Sequence, residues 1–231
     1  SRGRAVSKYL QHWLVSEPSG KKKFLDECLE LEKKALTAFS DLREPLEYAR
    51  TYNELPLVFM HRLYREWDSS LRKKIAEEGI AWGDKAVRGL SEVGDLYEAA
   101  RARYALATCL SMFGDFIPEP EKQEQNISRL VEHLRKACEL SERFGDAYLS
   151  GLVHLWSAMQ SGGEERMSHL GKALECAEMT RDNFLKAYTL DFLAYDRHWR
   201  GTAAEDSDQK RMLYGQAMEF YRLVDSLVGE V

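Results

Sequence analysis

Apolar residues recur at spacings of three and four through almost the whole of this chain, and no stretch alternates β-branched with polar residues. A spacing near 3.6 places side chains on one face of a helix, whereas a strand needs a spacing of two. Leu25, Cys28, Leu29 and Leu31 show the pattern, as do Leu130, Leu134, Ala137 and Cys138. It is interrupted by clusters rich in Gly, Pro or Asp: Pro18 to Gly20, Asp41 to Pro45, Gly94-Asp95, Gly114 to Pro120, Gly145-Asp146, Gly162-Gly163 and Gly201 to Asp208. These residue types stop helices and cap the next ones. The spacing predicts about ten helices, near 4–15, 22–41, 46–66, 69–93, 96–113, 121–143, 147–161, 164–180, 183–199 and 207–228. Pro56 falls inside the third and is expected to kink or split it, because it removes a backbone donor. With 44% hydrophobic residues in a 231-residue chain, there is enough apolar material for a packed all-α core.

The breaks also repeat in kind. Lys85-Ala86, Lys136-Ala137 and Lys172-Ala173 are each followed nine residues after the Ala by an aspartate, Asp95, Asp146 and Asp182. Lys34-Ala35 leads at the same distance to Glu44. Small residues follow on the next helix: Ala99-Ala100, Gly151 and Ala187. The unit is a helix ending in Lys-Ala, a short turn with a left-handed position and an N-cap carboxylate, then a helix that sits close to its neighbour.

Lys85-Ala86-Val87 through Gly94-Asp95, then Ala100 through Ala107 and Gly114-Asp115-Phe116, resembles the tetratricopeptide repeat in its long-helix form, found in bacterial regulators and signalling scaffolds. Lys136-Ala137 to Gly145-Asp146 and Lys172-Ala173 to Asp182 match the same inter-repeat element. The likeness is clearest over 80–201, with 1–20 as an N-terminal extension helix and 205–231 as a C-terminal capping helix of one domain. The resemblance implies a right-handed α-α superhelix of about five stacked hairpins, since such a repeat buries its apolar face only against the next one. It also implies that the first helix of each pair lines a concave side. Contact candidates there are Arg101, Tyr104, Thr108, Ser111, His154, Tyr188, Asp191, Tyr195, His198 and Trp199, with Tyr52, His61, Tyr64 and Trp156 beside them. Aromatic, Arg and His side chains suit an interface hot spot, and equally suit packing between hairpins. The helix carrying Asp191, Tyr195, His198 and Trp199 combines polar groups with aromatics most densely.

Catalytic patterns are thin. There is no HExxH, no GxSxG and no Gly-rich phosphate loop. Glu165 and His169 are four apart, but two ligands do not make a metal site, and an i,i+4 surface pair is the plainer reading. Cys28, Cys109, Cys138 and Cys176 form no CxxC pair and read as small buried residues. No cofactor is expected. The basic runs Lys21 to Lys23 and Arg72 to Lys74 are interleaved with Asp26, Glu27, Glu30, Glu32, Glu77 and Glu78, which reads as solvated helix surface.

A net charge of −5 disfavours a nucleic-acid partner, and no apolar run approaches the roughly 20 residues of a membrane span. The opening Ser1-Arg2-Gly3-Arg4 is not a secretory leader pattern, so a cytoplasmic location is expected, and the missing initiator Met points to a longer parent chain. The expected function is non-enzymatic: a protein-interaction module, scaffold or regulatory domain, holding a partner peptide or helix on its concave surface. The alternatives are a small-ligand-sensing regulatory domain and, behind it, an all-α enzyme. The last helix carries Met212, Met218, Phe220, Leu223 and Val224, which leaves both capping and self-association open.

Overall fold

The computed structural model describes residues 2–15 and 17–228. Among the described residues there are ten α-helices and no strand: α1 (Arg2–Leu14), α2 (Pro18–Asp41), α3 (Pro45–Leu63), α4 (Ser69–Glu92), α5 (Leu96–Gly114), α6 (Pro120–Phe144), α7 (Ala147–Gln160), α8 (Gly163–Thr180), α9 (Asn183–Ala203) and α10 (Ser207–Val228). The all-α expectation holds. None of these helices is long and apolar enough to cross a membrane.

The helix limits depart most from the sequence reading at the start of α2 and the end of α9. α2 starts at Pro18, where a break was expected, because proline in the first helical turn lacks only a donor that has no intrahelical partner. α3 runs through Pro56 without splitting. α9 continues past Gly201 to Ala203, and Gly201 lies so close to α10 that a Cβ there would stand 3.0 Å from the Tyr214 ring.

The repeated turn has one backbone geometry at all four sites. Arg43, Gly94, Gly145 and Arg181, each immediately before the acidic residue, have φ of 55°, 76°, 69° and 54°. The N–H groups of Glu44, Asp95, Asp146 and Asp182 reach back five residues to the carbonyls of Phe39, Leu90, Ser141 and Ala177, at 2.9–3.1 Å. The preceding N–H in each turn donates to the carbonyl three residues back. This is the Schellman closure, which satisfies carbonyls left open at a helix end. The three aspartates then cap the next helix, accepting from the N–H of Glu98, Leu149 and Leu185. Glu44 makes no such bond.

The chain divides into two compact units, residues 1–140 and 141–231. In the first, each of α1 to α4 packs on its successor, and second-neighbour packing joins α1 to α3 and α3 to α5. Its interior holds Leu25, Leu55, Phe59, Leu63, Leu90, Leu106 and Leu110, all fully buried. α4 approaches α5 closely through Gly83, where a Cβ would meet Leu106 at 2.9 Å. In the second unit, Leu155 of α7, Leu170 and Ala173 of α8, and Leu185, Leu190 and Leu193 of α9 form the core, with Phe220, Val224 and Leu227 of α10 laid against it. Here Gly151 brings α7 close, since a Cβ would meet Leu185 at 2.6 Å. Packing between sequence neighbours, with second-neighbour contacts from α1 to α3, α3 to α5 and α7 to α9, is consistent with stacked helical hairpins.

Candidate functional site

The second unit leaves one face of α9 bare. At 3.6 residues per turn, Phe184, Tyr188, Phe192, Tyr195 and Trp199 share a face, spaced by four, four, three and four. Four of these rings are substantially exposed: Phe184 69%, Tyr188 43%, Tyr195 51% and Trp199 55%. They touch along the helix. Phe184 stacks on Tyr188 at 5.8 Å between centroids, Tyr188 meets Phe192 edge-on at 5.5 Å, and Tyr195 meets Trp199 at 6.0 Å. The next helix turns toward this end too, with Tyr214 of α10 lying 5.4 Å from the ring of His198.

Beside the stripe is a groove of about 410 Å³, walled by Ala158 and Met159 of α7, Arg166 and Leu170 of α8, Asp191, Phe192, Tyr195 and Asp196 of α9, and Tyr221 of α10. Its charges are unequally committed. Arg166 donates from Nε to the carbonyls of Ala158 (3.2 Å) and Ser161 (2.9 Å), closing the end of α7, and its Nη1 lies 3.7 Å from Asp196. Asp196 is buried, and its Oδ2 is 2.8 Å from Arg200 Nε, an ion pair out of hydrogen-bond alignment. Asp191 is exposed on the rim and takes no part in these pairs.

The ten expected contact residues therefore separate. Tyr188, Asp191, Tyr195, His198 and Trp199 come together on the exposed face of α9. Tyr104, Thr108 and His154 do not reach a surface. Thr108 is fully buried and donates its hydroxyl to the Tyr104 carbonyl, and Tyr104 is 7% exposed. Both belong to the packed interior of the first unit. Arg101 pairs with Glu98 on its own helix at 3.2 Å, and Ser111 is half-buried. Phe184, Phe192, Arg166, Asp196 and Tyr221 were not anticipated. The two Phe residues carry a local signal, four residues either side of Tyr188, whereas Arg166 and Tyr221 reach the groove from other helices and leave none.

Elsewhere, polar groups are locked inside. His154 faces His169 with Nδ1 to Nδ1 at 3.0 Å, and its Nε2 is 3.3 Å from Glu142. One Nδ1 must donate and the other accept, so the contact holds a single proton. Burial pushes both imidazoles below their ordinary range, and the Lys172 charge adds to this. His169 thus pairs across helices rather than only with Glu165. In the first unit Glu32, read from sequence as solvated, is fully buried. It lies on the apolar face set by Leu25, Cys28, Leu29 and Leu36. Burial, and then the neighbouring Glu54, push its carboxyl up to about 10. Arg2 holds Glu47 at 2.6 Å and Glu54 at 3.1 Å. None of the four cysteines is in a disulfide; Cys28 and Cys109 are buried, which pushes each thiol up to about 12 and away from reactive thiolate.

A smaller groove of about 260 Å³ lies in the first unit, between Tyr48 and Tyr52 of α3 and Lys85, Arg88 and Glu92 of α4. Its aromatics are internally satisfied: Tyr48 and Tyr52 share a hydroxyl contact at 2.8 Å, and Lys85 covers the Trp82 ring. No family model matches this sequence, and no curated protein matches it either.

Proposed function

We propose that this protein is a non-enzymatic polypeptide-binding module, in which stacked hairpins resembling tetratricopeptide repeats present α9 and its groove to a partner peptide or helix. The carrying observation is the aromatic stripe from Phe184 to Trp199, exposed and ring-to-ring beside an open groove. Large rigid rings lose little conformational freedom on binding and dominate interface energetics when a partner desolvates them. An elongated apolar strip about 22 Å long, taken from 15 residues of helical rise, fits an extended segment or a partner helix better than a compact metabolite. The scaffold or regulatory role follows from that reading, because such a module acts through what it holds.

The test is a random-peptide display selection on the folded protein. Selected peptides should lose binding to the Tyr195→Ala, Trp199→Ala double variant while its circular dichroism and melting stay nearly unchanged. Peptides that bind both proteins equally would remove α9 from the binding surface. Small-ligand sensing remains the second reading, because the groove's volume is in the range of small-molecule sites. Its rim is open, with Tyr195 and Asp191 both exposed, which favours the polypeptide.

A further inference from the structure

We infer that the groove beside α9 receives the cationic end of a Lys or Arg side chain from a basic partner segment whose apolar residues lie along the aromatic stripe. This rests on the polypeptide reading above and adds the chemistry of the partner. Charge is the first ground. Residues 141–231 carry 15 acidic and 10 basic side chains, whereas residues 1–140 carry 23 of each, so the whole net charge of −5 belongs to the second unit. A positively charged segment is steered toward such a surface, and an acidic one is repelled.

The second ground is local. Along the face of α9 that holds the aromatics, helical spacing places one ionised side chain, Asp191, while Lys186 and Arg197 fall on the opposite side. In the groove, Arg166 is engaged with two carbonyls and with Asp196, and Asp196 with Arg200. Asp191 is the carboxylate left for a ligand. The apolar walls offered by Met159, Phe192, Tyr195 and Tyr221 suit the methylene stem of Lys or Arg, and the ring faces attract its cationic head.

The same charges argue against a second copy as occupant. A two-fold pairing of this face would set Asp191 against its own symmetry mate and bring together two units of net charge −5.

The experiment measures fluorescence anisotropy of a labelled amphipathic leucine–lysine peptide, and of its leucine–glutamate counterpart, against the intact chain. Four proteins are compared: the wild type, Asp191→Asn, Tyr195→Ala, and Glu175→Gln, which removes one exposed charge from α8 outside the groove. The lysine peptide should bind, with affinity falling as salt rises. Asp191→Asn should weaken it about fivefold and Glu175→Gln by less than about twofold. The glutamate peptide should not bind. Equal loss in Asp191→Asn and Glu175→Gln would reduce the effect to diffuse charge and overturn the groove assignment. Binding of the glutamate peptide that still depends on Tyr195 would overturn the cationic partner and leave the polypeptide reading standing. Indifference of both peptides to Tyr195→Ala would overturn both. Free spermidine competing as strongly as the lysine peptide binds would favour a small cationic ligand and overturn the partner-segment inference.

Discussion

Helices α5 and α9 begin on the same turn and end up in opposite roles. Nine and thirteen residues beyond their N-cap aspartates stand Tyr104 and Thr108 in α5, Asp191 and Tyr195 in α9. The first pair is buried and the second exposed. α5 packs broadly on α3 as well as α4, and its Ala-rich sequence lets those neighbours close in. α9 packs on α8 and α10 but touches α7 only slightly, and the corresponding face stays exposed. Equivalent register after the same kind of turn therefore does not mean equivalent burial. What packs over each helix, rather than the size of its side chains, decides whether the face becomes core or stays exposed: Tyr104 is buried and the smaller Asp191 is not.

That contrast can be broken most forcefully in α5. Leu110→Ala, at a fully buried position, should cost about 3 kcal/mol of stability in urea unfolding. A loss no larger than that of a surface substitution would deny α5 its role as core.

The pH dependence sharpens the same point. His133 of α6 accepts at Nδ1 from Arg103 of α5, 3.3 Å away. Burial first, and then the Arg103 charge, push it from the ordinary 6.5 down to about 4. A histidine depressed in the folded state is neutral there while the unfolded chain takes up a proton. Stability is thus complete above about 6.5 and falls as pH drops toward 4, by about 2 kcal/mol after allowance for partial exposure. His133→Gln should flatten that slope in melts recorded between those pH values.

The two entry turns differ in a smaller and signed way. Gly94 before α5 and Arg181 before α9 are both left-handed. Gly94→Ala should cost about 1 kcal/mol and Arg181→Gly should gain up to about 1 kcal/mol, each read from thermal unfolding, because only glycine adopts this region without strain. Smallest of all is the stability effect of Tyr195→Ala or Trp199→Ala, expected within about 0.5 kcal/mol. A loss near that of Leu110→Ala would show that the rings of α9 serve packing, and the contrast with α5 would disappear.

Much of the fold could be read along the chain because its determinants are local. Asp95, Asp146 and Asp182 bond to amides three residues away, and the turn before each closes over six residues, so a short window contains the whole interaction. The same logic made Ala99, Ala100, Gly151 and Ala187 legible as close-approach positions, and all four are buried. Half of the site was legible for a similar reason: Tyr188, Asp191, Tyr195, His198 and Trp199 follow one helical period. The groove was not. Arg166 and Tyr221 are brought to Asp196 and Tyr195 from other helices, and no window spans them. Glu32, Thr108 and His154 were misjudged because a polar residue on a helix gives no sign of what will cover it.

The amino-acid order by itself determined ten helices, their stops and the repeating turn, since hydrogen bonds within a few residues fix those. Only the packing of helices decided which faces vanished, whether a carboxyl such as Glu32 lost its water, and where four aromatic rings of α9 were left uncovered. Burial depends on neighbours remote in the chain, and no local free energy encodes them.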